Sequence, residues 1–178
     1  MIWAREFVDL DPAVHDRDSF QCDREELNEF LKTRAAKHAA AGISRTFVLP
    51  AVQALPNGKL QICSFFSIAP SSIKRETLPD HLRKKLPHYP VPVFLLAQLA
   101  VHQDHQGTGL GAVTLAKALE TFARIRQAMP AYAVVVDCID ERAESFYRKY
   151  DFETLGTKDG KAKMFLPMNT VLQLYDQA

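Results

Sequence analysis

Apolar and polar positions along the chain fall into two successive patterns. Ile2 to Val8 reads as a first strand. From Cys22 to about Ala41, Leu27, Phe30, Leu31 and Ala35 share one helical face, and Gly42 supplies the stop. Ile43–Leu49 and Leu60–Ala69 read as strands joined through a hairpin-like loop at Pro56-Asn57-Gly58. Pro70-Ser71-Ser72 then breaks the chain, and a polar, proline-bracketed stretch runs from Lys74 to Pro92. In the second half the period changes. Val93 to Val101 is a nearly unbroken apolar run, the mark of a buried strand, and a helical pattern follows from Ala112 to about Ala128. Ala133 to Cys138 is a further strand. Asp140 is placed to cap a helix that carries Ala143, Phe146, Tyr147 and Tyr150 at i, i+3, i+4, i+7 spacing. Lys163–Pro167 predicts a last strand and Asn169–Tyr175 a short terminal helix. With no internal repeat, low-complexity tract or linker, an antiparallel first half and a βαβα second half predict one mixed α/β domain over residues 1–178.

Composition narrows this little. At 178 residues and 47% hydrophobic the chain can bury an ample core, and a net charge of +1 makes no demand for a polyanionic partner. Cys22, Cys63 and Cys138 are sparse, odd in number and without metal-ligand spacing, so buried thiols in a reducing cytoplasm are expected and no metal site is. The first residues lack a signal peptide's apolar core. The longest apolar run, near 91–101, is too short for a bilayer and contains Gln98. A cytoplasmic protein without a membrane contact is expected.

The candidate chemistry begins between the apolar strand and the helix after it, at Gln106-Gly107-Thr108-Gly109-Leu110-Gly111. A strand, a glycine-rich turn and a helix N-terminus make an anion cradle: backbone N–H groups point outward, no Cβ blocks approach, and the helix dipole adds positive potential. Three phosphate-binding patterns compete for these residues. The dinucleotide fingerprint needs G-x-G-x-x-G and an acid about 20 positions on, whereas the glycines here fall at 107, 109 and 111 with no suitable acid. The Walker A loop needs a Lys after its last glycine, and Ala112 stands there. The remaining pattern, Q-x-x-G-x-G, resembles the acyl-CoA pyrophosphate loop of the GNAT (Gcn5-related) N-acetyltransferases. A glycine-rich turn that binds nothing is the bland alternative.

Asp140-Glu141-Arg142-Ala143-Glu144-Ser145-Phe146-Tyr147 is similar to the N-x-x-A-x-x-F-Y stretch of the same family, with Asp140 in place of the usual Asn and Asp151-Phe152 in place of Gly-Phe. The resemblance implies a central mixed, twisted sheet flanked by helices, with the strands near 91–101 and 132–138 parallel and splayed at one end. It implies acetyl-CoA as co-substrate. The pyrophosphate would lie on Gln106, Gly107, Thr108, Gly109, Leu110 and Gly111, the pantetheine would pair with the main chain at Leu99 to Val101, and Asp140 would make a further cofactor contact. Tyr147 matches the family's general acid. A phenol with pKa near 10 stays protonated at neutral pH and can donate to a thiolate of pKa roughly 8–9. The alternative for Tyr147 is simple packing beside Phe146, and Tyr150, one turn on, reads as packing.

No general base stands out; His102 and Asp137 are the candidates. An acceptor that is already neutral answers this gap. An α-amine with pKa about 7.7–8.0 needs less help than a lysine at about 10.4. The order of further segments is similar to one GNAT branch, the toxins of toxin–antitoxin modules that acetylate aminoacyl-tRNA. These segments are Phe20-Gln21-Cys22, Leu27-Asn28-Glu29-Phe30-Leu31, Arg45-Thr46-Phe47-Val48, Phe66 to Ser72, Tyr89 to Val101 and Met164 to Met168. That resemblance implies aminoacyl-tRNA as substrate, a ribbon–helix–helix antitoxin as partner, and a homodimer. Lys32, Arg34, Lys37, His38 and Arg45, and separately Lys74, Arg75, Arg83, Lys84 and Lys85, could meet an acceptor stem or be ordinary solvated faces. A GNAT enzyme for a small amine or a protein lysine, and a CoA-binding module without catalysis, remain the other readings.

Overall fold

A computed structural model describes residues 2–175. The chain forms two compact units: residues up to Ala69 with Ala97–Ala118, and Pro70–Leu96 with the residues from Leu119 on.

The first unit is built on antiparallel pairing. Strand β1 (Val8–Asp9) pairs with β3 (Arg45–Ala54) at Val8–Val48, and β3 pairs with β4 (Leu60–Ile73) from Arg45–Ile68 onward. Strand β2 (His15–Asp16) lies parallel to the start of β4. The expected first strand is much shorter than Ile2–Val8. Its N-terminal part makes only an isolated bridge from Trp3 to Ala51. Strand β4 continues through Pro70-Ser71-Ser72 to Ile73, where a break was expected. Gly58, at φ 81, closes the β3–β4 turn as its sequence suggested.

The predicted helix over 22–41 is helical but not uniform. It consists of α1 (Glu25–Glu29), a π-helical turn over Phe30–Arg34, and α2 (Ala35–Ala40), with Gly42 at φ 72 just beyond. In the π turn Ala35 N–H donates to Phe30 O, an i→i+5 bond, so both buried residues face the core. Phe30 stacks on Phe65, and Phe20 meets the same ring edge-on. Asn28, fully buried, receives Cys22 N–H at 2.8 Å and donates to Cys22 O at 3.0 Å, tying the entry segment to α1.

The second unit carries the parallel pair. Strand β5 (Val91–Val101) contributes its first part here and its last part to the other unit. It pairs in parallel with β6 (Ala133–Asp137) at Phe94–Val134 and Leu95–Val135. Strand β8 (Lys161–Pro167) runs antiparallel to β6 from Ala133–Pro167 to Asp137–Lys163, and β7 (Glu153–Lys158) forms the edge beyond β8. Ile73, Leu78, Val91, Val93, Ala133, Val135 and Phe165 make one core cluster. Leu82 and Leu86 of the polar excursion over 74–90, which holds the short α3 (Asp80–Arg83), pack against it. Helix α4 (Leu110–Ile125) starts in the first unit and ends in the second, where Phe122 stacks on Phe94 at 5.1 Å. Helices α5 (Glu141–Arg148) and α6 (Met168–Tyr175) complete the chain. The architecture is the mixed α/β sheet with helices that the sequence predicts. Among the described residues no helix is long and apolar enough to cross a membrane.

Candidate active site

In the first unit, β5 ends at Val101 and a 3-10 turn over Gln103–His105 leads into Gln106–Gly109, after which α4 begins at Leu110. Gly107 and Gly109 adopt φ 74 and φ 84. Side chains avoid that region, and a Cβ at either position would meet nothing within 4 Å, so the space over the turn is open to a ligand. The first helical bonds come from Ala112 and Val113 N–H, both to Gly109 O. Amides ahead of them, at the start of a sixteen-residue helix with no acid in its first turn, are available to an anion. Gln106 to Gly109 are exposed, whereas Leu110 is 1% exposed and plugs into Leu49, Ala51 and Cys63. A buried anchor thus holds a solvent-facing cradle, and this arrangement fits a pyrophosphate.

Side chains hold the turn closed. Thr108 Oγ1 donates to His105 O at 2.5 Å, and Gln106 Nε2 donates to Val101 O at 3.2 Å. Gln106 therefore shapes the loop with its side chain and engages the last carbonyl of β5. Leu99 and Val101 are half-buried on that strand, as is Gln98.

Each candidate base already has a partner. His102, 3% exposed, accepts Asp104 N–H at Nδ1 (3.2 Å), and its Nε2 faces Ser19 O at 3.3 Å. That pairing requires the Nε2–H tautomer, so both ring nitrogens are committed to the backbone. Asp137 is exposed and lies 2.9 Å from Lys163 Nζ on the facing strand. His105 is buried, its ring edge-on to Trp3, and burial pushes its pKa down. Among the described residues no cluster of His, Cys, Asp or Glu could hold a metal ion.

The second unit holds the tyrosine. Asp140 Oδ1 accepts Ala143 N–H at 2.8 Å and caps α5. Tyr147 lies on the buried side of that helix, 8% exposed, its ring 5.2 Å from Phe146 and 5.3 Å from Phe152. Asp151 takes φ 67, a left-handed conformation at this helix end, which lets Phe152 N–H return to Tyr147 O at 3.3 Å. Two aromatic neighbours thus fix the tyrosine ring, while Tyr150 packs edge-on against Phe146. The structure gathers Gln106–Gly111 in one unit and Asp140 with Tyr147 in the other. Sequence reading passed over Ser64 and Thr114, whose hydroxyls meet at 2.9 Å beneath the cradle. The available signal was a polar residue on the apolar face of α4.

The family model for the acetyltransferase (GNAT) domain matches residues 78–154, from the polar excursion through Tyr147 to the start of β7. A tRNA-acetylating toxin of Mycobacterium tuberculosis (strain ATCC 25618 / H37Rv) is 31% identical over 138 residues, 78% of each chain. The chain belongs to the GNAT acetyltransferases. The fold of this GNAT enzyme agrees with solved structures. The AtaT toxin complexed with acetyl-methionyl-tRNAfMet is 25% identical, with a TM-score of 0.82 over 96% of this chain and 98% of that one. A Tyr-to-Phe variant of AtaT, bound to the C-terminus of its antitoxin AtaR and to acetyl-CoA, is 20% identical with a TM-score of 0.78, over 96% of this chain and 97% of that one. Acetyl-CoA is the acyl donor of the family to which this chain belongs.

Proposed function

We propose that the chain is a translation-blocking toxin, a cytoplasmic enzyme of one functional domain that acetylates the α-amine of aminoacyl-tRNA. The observation that carries this reading is the 31% identity to a tRNA-acetylating toxin over 78% of both chains. The similarity to AtaT in complex with an acetylated tRNA supports it further. The Gln106–Gly111 backbone binds the pyrophosphate of acetyl-CoA, the main chain of Leu99 and Val101 guides its arm, and Asp140 contributes from the cap of α5. When bound, acetyl-CoA supplies an activated thioester carbonyl. The chain's residues then position that carbonyl for the neutral amine; as the C–N bond forms and the C–S bond breaks, Tyr147 gives its phenolic proton to the departing sulfur and the proton shed by the amine returns to the phenolate. With His102 and Asp137 both engaged elsewhere, the chain relies on an acceptor amine that is already neutral. That requirement favours an aminoacyl ester over a lysine. A ribbon–helix–helix antitoxin and a second copy of the chain are the proposed partners; the antitoxin-bound AtaT supports an antitoxin.

Parallel induction of wild type and Tyr147→Phe tests this. Wild type should arrest translation and accumulate acetyl-aminoacyl-tRNA. The variant, lacking the proton, should lose roughly 100-fold or more in transfer rate, the usual scale of general-acid loss. Wild-type expression without acetylated tRNA would discard the substrate, and full activity in Tyr147→Phe would discard the acid.

A further inference from the structure

We infer that Ser64 and Thr114 are positioning residues that set the anion cradle from beneath, an inference that rests on the reading of Gln106–Gly111 as the acetyl-CoA site. Both side chains are 0% exposed, one on β4 and one on the first turns of α4. Thr114 Oγ1 lies 2.9 Å from Ser64 Oγ and 2.7 Å from Leu110 O. A hydroxyl carries one proton, and a carbonyl carries none. Thr114 is the donor in both contacts, so its single proton is shared between Ser64 Oγ and Leu110 O. The result is a three-centre link that ties β4, through Thr114, to the first residue of α4.

The neighbouring residue of β4 holds the other end of the same segment. Cys63 O accepts His102 N–H at 2.8 Å, just ahead of the 3-10 turn. Two consecutive positions, Cys63 and Ser64, thus grip the entry and the exit of His102–Thr114, and the exposed cradle spans the gap between them. Leu110 packs on Cys63, which fills the space under that span. Valine would pack as well as threonine at 114, and alanine as well as serine at 64. What the hydroxyls add is rotational and axial register for α4, because a helix turned or slid by one residue leaves two buried hydroxyls unpaired. That register decides where the first amides of α4 point, and hence the fit of a pyrophosphate to them.

The test uses the full-length protein and acetyl-CoA itself, with calorimetric Kd and the steady-state split between KM and kcat. Thr114→Val and Ser64→Ala should each weaken acetyl-CoA binding roughly tenfold, the value of one hydrogen bond's geometry, with kcat at saturating acetyl-CoA within about twofold of wild type. Thr114→Ser, which keeps the hydroxyl, should bind within about twofold of wild type. The double variant should be no weaker than the poorer single one, since either change breaks the same link. Lowered urea midpoints with wild-type Kd in both single variants would reduce the pair to ordinary core stability and overturn the inference. So would Thr114→Ser binding as poorly as Thr114→Val. Ser64→Ala, the smaller perturbation, carries the test where Thr114→Val fails to fold. Wild type separates this inference from the one beneath it. An unaltered chain that binds no acetyl-CoA defeats both, whereas wild-type binding with unchanged variants defeats the clamp alone.

Discussion

Gly109 and Gly58 hold nearly the same backbone conformation, φ 84 and φ 81, for different reasons. Gly58 turns a hairpin, where Leu55 and Lys59 close the loop by backbone bonds. Gly109 sits over the start of α4, in the space proposed for a pyrophosphate. An alanine at either position costs about 1 kcal/mol or slightly more in left-handed strain, and neither new Cβ meets an atom within 4 Å. Folded-state strain therefore falls equally on both, and the ligand separates them. Gly109→Ala should raise the KM for acetyl-CoA by roughly tenfold or more, as a methyl group holds the anion off the amides. Gly58→Ala should leave KM unchanged while lowering the urea midpoint by a similar amount. Equal KM values in the two variants would place the pyrophosphate elsewhere. The same comparison distinguishes a glycine that serves a turn from one that serves a ligand, a distinction the residue letter does not carry.

At the scale of the element, α5 is the platform for Tyr147, and its N-terminus depends on one side chain. Asp140→Ala removes the acceptor for Ala143 N–H and should cost about 1 kcal/mol of stability, together with part of the transfer rate as the helix start frays under the tyrosine. Asp140→Asn retains a capping oxygen and should restore stability. If it restores stability but leaves the acetyl-CoA KM raised, the carboxylate itself serves the cofactor, at a position where the family pattern carries Asn. Circular dichroism melts and initial rates on the two variants decide between those roles. The cap was legible because an acid directly before an apolar i, i+3, i+4, i+7 series has few other uses, and the apolar run of β5 was legible because a buried parallel strand needs no alternation. Other elements left no such trace. Strand β7 is an edge of mostly exposed residues interrupted by Gly156, so it has no apolar face to advertise. The π turn at Phe30–Arg34 arises from tertiary packing of Phe30 and Ala35, which a 3.6-residue period cannot encode. Strand β4 passes through Pro70 because an imide there need donate no ladder bond, an allowance the sequence cannot announce. At the candidate site, the glycine turn was legible from its spacing, while the role proposed for Tyr147 came from the family resemblance alone. Ser64 and Thr114 were not legible, since their role lies in a contact between residues fifty positions apart.

For the molecule as a whole, net charge near zero leaves acid stability to individual buried groups rather than to general repulsion. Two histidines dominate near neutrality. His15 accepts Asp11 N–H at Nδ1 and is buried, and His105 is buried beside Trp3; desolvation lowers the pKa of both from the ordinary 6.5. A base with a depressed pKa binds fewer protons folded than unfolded in the interval below 6.5, so stability rises with pH through that interval. The contribution is complete above the unfolded value and is lost as pH falls toward the folded one. Asp9, held down chiefly by its hydrogen bond to Arg45, and Asp16, where burial pushes up but is outweighed by hydrogen bonds from Ser19, Asn57 and Asp18, also have lowered pKa values. Their contributions are lost only below the ordinary carboxylate value of 3.8. The histidine window opens at 6.5 and the carboxylate window at 3.8. Urea midpoints should therefore fall as pH drops below 6.5 and fall further once it drops below 3.8. His15→Gln combined with His105→Gln should flatten the first decline and leave the second intact. If the double variant declines as steeply as wild type between pH 6.5 and pH 3.8, the histidines do not govern that limb, and the acid sensitivity lies in groups outside this pair.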